Sequence, residues 1–143
     1  MDQLDDELLQ LADGGTIRYS DLARKTGEPL STVHMRMKKL EREGFIRHYR
    51  GDIDWKRAGF PITAYVFITI DVDLLKKIRK SQDNLLRELL GVVYVRDGSL
   101  ITGDADILVK VMARSSDHLK ELLMDHIDSK AGVVRTRTML VLG

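Results

Sequence analysis

The groups best placed for chemistry in this 143-residue chain lie between Ser31 and Lys39. Val33, Met37 and Leu40 recur at i, i+4, i+7, which predicts a helix with one apolar stripe. That stripe leaves Ser31, Thr32, His34, Met35, Arg36, Lys38 and Lys39 on the remaining surface, with Arg47 a few residues beyond. Short hydrogen-bonding side chains stand near the N-terminus and cations follow. A helix entering the major groove of double-stranded DNA needs that order, because its N-terminal residues meet base edges and its flanks meet phosphates. A merely solvated helix face would carry the same charges, so the elements around the stretch must decide.

Those elements fit a helix-turn-helix. Leu4, Leu8, Leu11 and Ala12 predict a first helix, ended by Asp13-Gly14-Gly15. Ser20 is a good N-cap for a short second helix through Thr26, which Gly27 ends. Pro29 forbids its continuation. The third helix runs from about Leu30 to Glu43, and Gly44 closes it. Ala23, four residues before Gly27, is small enough to let two helices cross closely, the spacing of this motif. Phe45–Tyr49 reads as a short strand and Ile53 as the start of its partner, together a wing.

Charge supports this placement. The total is only +1, from 23 Lys plus Arg against 22 Asp plus Glu, so whole-chain charge says nothing about nucleic acid. Locally it is polarised: residues 1–23 carry six acids and one base, and residues 24–50 carry eight bases and three acids. A periodic basic segment is a candidate phosphate-facing surface.

Gly59 and Pro61 mark a break, so the expected domains are 1–50, a linker over 51–61, and 62–143. The second half reads as strand (Thr63–Ile70), helix (Leu74–Leu90), strand (Val92–Arg96), turn (Asp97-Gly98-Ser99), strand (Ile107–Met112), helix capped by Ser116, and strand (Val133–Leu142). The order βαββαβ is the ferredoxin-like split. The fold class is therefore α+β, a winged helix-turn-helix joined to a ferredoxin-like domain. In the first strand Ala64, Val66, Ile68 and Ile70 share one face, and Tyr65, Phe67 and Thr69 the other. Helices cover only one face of such a sheet, so an apolar second face at Tyr65 and Phe67 predicts a second copy of the chain as its cover.

Other chemistries find little support. There is no cysteine, so thiolate catalysis, disulfides and cysteine-ligated zinc are excluded. His118 and His126 are two helical turns apart and cannot readily share one ion, so no metal is expected. No nucleophile–base pair or phosphate-cradling glycine loop is visible, and no enzyme and no cofactor are expected. The acidic opening Met1–Glu7 has no apolar h-region and the longest aliphatic stretch, around Ile62–Ile70, is too short to span a bilayer, so a cytoplasmic protein with no membrane partner is expected.

Several stretches resemble the Lrp/AsnC family, the leucine-responsive or feast/famine transcription regulators. They are Asp2-Gln3-Leu4-Asp5, Asp21-Leu22-Ala23, Arg36-Met37-Lys38-Lys39-Leu40-Glu41-Arg42-Glu43-Gly44-Phe45-Ile46, Ala58-Gly59-Phe60, Thr102-Gly103-Asp104-Ala105-Asp106 and Val133-Val134-Arg135-Thr136. The resemblance implies a DNA-binding regulator that forms dimers and often octamers, with a small effector, commonly an amino acid, bound between dimers. On that reading the 102–106 turn shapes the effector site. Backbone N–H groups near Gly103 would hold a carboxylate and Asp104 or Asp106 an ammonium, with Thr102 in the same turn. Thr136 and Thr138, two apart on one strand face, would complete the pocket. The sequence departs from the family at Ala105, where an aromatic residue is common. Two alternatives stay open: an architectural DNA-binding protein without effector, and, far less favoured, an enzyme akin to the haem-pathway decarboxylases. The histidine-rich stretch of those enzymes has no counterpart near Val92–Arg96.

Overall fold

The computed structural model describes residues 1–15, 18–49 and 51–143. It divides into two compact units, Met1–Ile53 and Asp54–Gly143.

The first unit holds α1 (Gln3–Asp13), α2 (Tyr19–Thr26) and α3 (Leu30–Arg42). Leu8, Leu22, Val33, Met37 and Leu40 form its core. The turn between α2 and α3 works as its residues require: Gly27 takes φ 76°, a left-handed conformation that costs glycine little, and donates to the Ala23 carbonyl at 2.9 Å. Two local expectations differ. Helix α2 begins at Tyr19, with Arg18 in the cap position and no side-chain cap, so Ser20 lies inside the helix. The strand expected over Phe45–Tyr49 does not form. Phe45 and Ile46 both donate their N–H groups to the Leu40 carbonyl, a helix-ending arrangement that takes them away from a strand ladder. Arg50, between the two expected wing strands and at the expected domain boundary, lies outside the described residues.

The second unit is a four-stranded antiparallel sheet of β1 (Ile62–Ile70), β2 (Val95–Leu100), β3 (Ile107–Ala113) and β4 (Val133–Leu140), in the order β2-β3-β1-β4. Helices α4 (Val72–Lys77), α5 (Gln82–Leu90) and α6 (Ser116–Glu121) connect the strands. The last is continued by a π-helical segment, Leu122–Ile127, ending where Asp128 donates to the Leu123 carbonyl at 2.7 Å. Ala64, Val66, Ile68 and Ile70 face a core shared with Leu75, Leu85, Leu89 and Leu122. Trp55 and Phe60, from the stretch expected as a linker, belong to this unit: their rings meet edge-on and Phe60 stacks near Tyr94.

Three further expectations are revised here. The single helix expected over Leu74–Leu90 is two, because Arg79 is left-handed at φ 54° and Ser81 caps α5 by accepting from the Asn84 N–H at 3.0 Å. Ser115, not Ser116, caps α6. Asp97-Gly98-Ser99 is not a turn but the middle of β2. Gly98 sits where a Cβ would stand 3.0 Å from Val109 and 3.2 Å from Leu86 and Leu90, so the missing side chain lets α5 pack down on the strand.

Candidate functional site

On α3, Val33, Met37 and Leu40 are buried, and the opposite pole of the helix is Ser31, Met35, Lys38 and Arg42, spaced i, i+4, i+7, i+11. Met35 is 61 % exposed at the centre of this pole. Thr32 and Lys39 flank it on one side and His34 on the other. Arg42 was not singled out from the sequence, although continuing the stripe by one more turn finds it.

Arg36 is placed differently from its neighbours. Its guanidinium donates to Asp2 Oδ2 at 2.7 Å and to Asp5 Oδ1 at 3.2 Å. The other oxygen of each carboxylate forms the capping box of α1: Asp2 Oδ1 accepts from the Asp5 N–H, and Asp5 Oδ2 accepts from the Asp2 N–H. Arg36 therefore belongs to the fold of this unit rather than to its free surface. The pairing holds the Asp2 carboxyl below its ordinary value and raises Arg36 further.

A second cluster ties down the other flank. Tyr19 and Tyr49 both donate their hydroxyls to Glu41 Oε1, at 2.9 and 2.7 Å, while Lys38 Nζ stands 3.7 Å from Glu41 Oε2. The Tyr49 bond, followed by the Tyr19 bond, lowers the Glu41 carboxyl. Burial and then Glu41 push Tyr19 up to about 12, and Tyr49 rises for the same reasons. His34 meets the Tyr19 ring edge-on at 5.3 Å. Among the described residues Lys39, Arg42 and Arg47 form no ion pair, so their charge is free for an external anion. Arg47 is exposed beside His48, with Ala12 and Asp13 nearby.

In the second unit, the open face of the sheet carries Tyr65, Phe67 and Thr69 of β1 opposite Met139, Arg137 and Arg135 of β4. At its end a cleft of about 390 Å³ is lined by Phe67, Thr69, Asp104, Ala105 and the β4 segment 135–137. The turn residues Thr102, Gly103 and Asp104 are exposed, and Gly103 takes φ 117°, open to a glycine. Three sequence-predicted effector residues are differently employed. Asp106 accepts the Ile70 N–H on Oδ2 at 2.9 Å, so its carboxylate is occupied. Thr136 donates its hydroxyl to Asp128 Oδ1 at 3.0 Å and borders the cleft without offering that hydroxyl to it. Thr138 pairs with buried Val66 and shares its face, the one the helices cover. Arg135 and Arg137, which alternate with these threonines, face the cleft instead. Their position follows from the period-two rule once the strand register is known.

Residues 63–143 match the Lrp/AsnC ligand binding domain, and residues 7–47 match a winged helix-turn-helix DNA-binding domain. The chain is 29 % identical to the Escherichia coli regulatory protein AsnC over 99 % of this chain and 90 % of that protein. It is 30 % identical to an HTH-type transcriptional regulator of Pyrococcus horikoshii, covering 98 % of this chain and 91 % of the relative. The fold is similar to that of a feast or famine regulatory protein from M. tuberculosis, solved with L-methionine, with TM-score 0.74 at 28 % identity over 99 % of this chain and 92 % of that one. Together the helix-turn-helix unit and the ferredoxin-like sheet define a DNA-binding transcription regulator. The chain belongs to the Lrp/AsnC family. Among the described residues no helix is long and apolar enough to cross a membrane, and no group of three or more His, Asp or Glu could hold a metal ion.

Proposed function

We propose that the chain acts in the cytoplasm as a dimer or larger assembly. It reads DNA through the outward pole of α3 and responds to an amino acid held in the cleft beside Asp104. The observation that carries the DNA reading is the pole itself: Ser31, Met35, Lys38 and Arg42 form one exposed stripe opposite a fully buried one, with Lys39 and Thr32 on its flank. Arg47 extends the basic surface beyond the helix. Thr32 and Ser31 stand at the N-terminal end, where a recognition helix meets bases, and the cations stand where it meets phosphates. The effector reading is supported by the ligand-binding match over 63–143 and by the M. tuberculosis relative with L-methionine. Tyr65 and Phe67, with Met139 beside them, give the open face of the sheet an aromatic and apolar patch bordered by Lys110, Arg137 and Arg135, which a second copy would cover.

Selection from random double-stranded fragments tests the DNA reading. A dimeric regulator enriches a dyad-symmetric site, with half-sites about one helical turn apart or a small multiple of that. A chain changed to alanine at Met35, Lys38, Lys39 and Arg42 loses the enriched site. Normal binding by that variant removes α3 as the reading helix, and enrichment without symmetry favours an architectural role.

A further inference from the structure

The cleft beside the 102–106 turn carries a charge pattern that a neutral amino acid does not match. Arg135 and Arg137 project from the same face of β4, roughly 7 Å apart along the strand. Neither forms an ion pair among the described residues. The Arg137 guanidinium lies over the Phe67 ring, 5.0 Å from its centroid, and so covers the main apolar wall. Ala105, 5 % exposed, places only a methyl group at the floor. With Asp106 bound to the Ile70 amide, Asp104 is the one carboxylate among the lining residues. The cleft therefore presents two guanidinium groups and one carboxylate.

We propose that the effector is an acidic amino acid, L-aspartate or L-glutamate. This rests on the reading above that the cleft takes an amino acid. An acidic amino acid has two carboxylates and one ammonium, the complement of that set. Each guanidinium can grip one carboxylate in a planar, charge-assisted pair, and Asp104 takes the ammonium. A neutral amino acid leaves one guanidinium unmatched, in a cleft that a second copy would partly close, where an unpaired charge is costly. A leucine or methionine side chain would meet the Arg137 guanidinium where it needs an apolar wall. No bond is made or broken in this step.

Calorimetric titration of the full-length protein tests the inference with L-glutamate, L-aspartate, L-glutamine, L-asparagine, L-methionine, L-leucine and glutarate. An acidic amino acid binds roughly tenfold or more tightly than its amide counterpart. Glutarate, which lacks the ammonium, binds more weakly than glutamate, and Asp104→Asn narrows that gap. Arg137→Gln reverses the preference from glutamate to glutamine, a gain that a misfolded variant cannot produce. Binding of a neutral amino acid as tightly as the acidic ones overturns the acidic class and leaves the amino-acid reading standing. No binding by any amino acid overturns both. If Arg135→Gln and Arg137→Gln weaken self-association without altering ligand preference, the two arginines serve the interface and the inference fails.

Discussion

Arg36 Nη1 lies 2.7 Å from Asp2 Oδ2, joining α3 to the first turn of α1 across 34 residues of sequence. Both carboxylates of the capping box use one oxygen to cap the helix and the other to hold this guanidinium. Arg36→Ala therefore lowers the melting temperature of the full chain, and Asp5→Ala does the same. The double variant loses less than the sum, because the three groups act as one unit. The Asp2 pKa is depressed on folding, so its contribution is present above the ordinary carboxylate value of 3.8 and is lost as pH falls through the folded value. Melting curves taken on the acid side show a smaller loss in Arg36→Ala than in the parent, because the Asp5 N–H still holds the Asp2 carboxylate.

The two tyrosines on Glu41 ionise late. Tyr19 has its pKa raised to about 12, so its contribution to stability is present below the ordinary value of 10 and is lost as pH rises through about 12. Glu41 is depressed, so its part is present above 4.5 and lost as pH falls through the folded value. An ultraviolet titration detects Tyr19 and Tyr49 as a late phase. Glu41→Gln moves the late group back toward 10.

On DNA, Lys39→Ala weakens binding to all sequences alike and reduces the salt slope by about one. Met35→Gln acts on base preference instead. An exposed thioether at the centre of the pole fits a thymine methyl group, so discrimination at one position falls by roughly 1–3 kcal/mol. Fluorescence titrations on cognate and singly changed sites, at several salt concentrations, separate the two effects.

Phe67→Glu converts the full chain to monomers in sedimentation. It replaces the ring with a carboxylate beside Arg137, so a second copy would have to dehydrate a charged pair where it had covered an aromatic ring, at a cost of several kcal/mol. A dimer unchanged by this substitution and by Tyr65→Glu assigns self-association to another surface.

Much of the α3 arrangement was legible because it is periodic. Val33, Met37 and Leu40 define the buried side, and the exposed pole follows by subtraction. Periodicity places Arg36 on a flank of α3 but cannot say what it meets there. Its partners lie 31 and 34 residues away. The same holds for Asp106, whose partner amide is 36 residues away. Asp97-Gly98-Ser99 has turn composition, and only the approach of α5 explains a glycine in that strand. Thr136 and Thr138 were correctly paired on one face, but the choice of face needed the register of β4 against β1.

Asp106 has a further consequence for signalling. Its carboxylate accepts from Ile70, its N–H donates to the Ile68 carbonyl, and its own carbonyl accepts from Ile101. One residue thus rivets the turn to the end of β1 and to the residue following β2. The turn has little freedom to reshape around a visitor. A molecule gripped by Asp104, two residues along, would load two strands together, as a lever loads its fulcrum. Any response would then be carried outward as a displacement of the whole sheet edge, not absorbed by a loop.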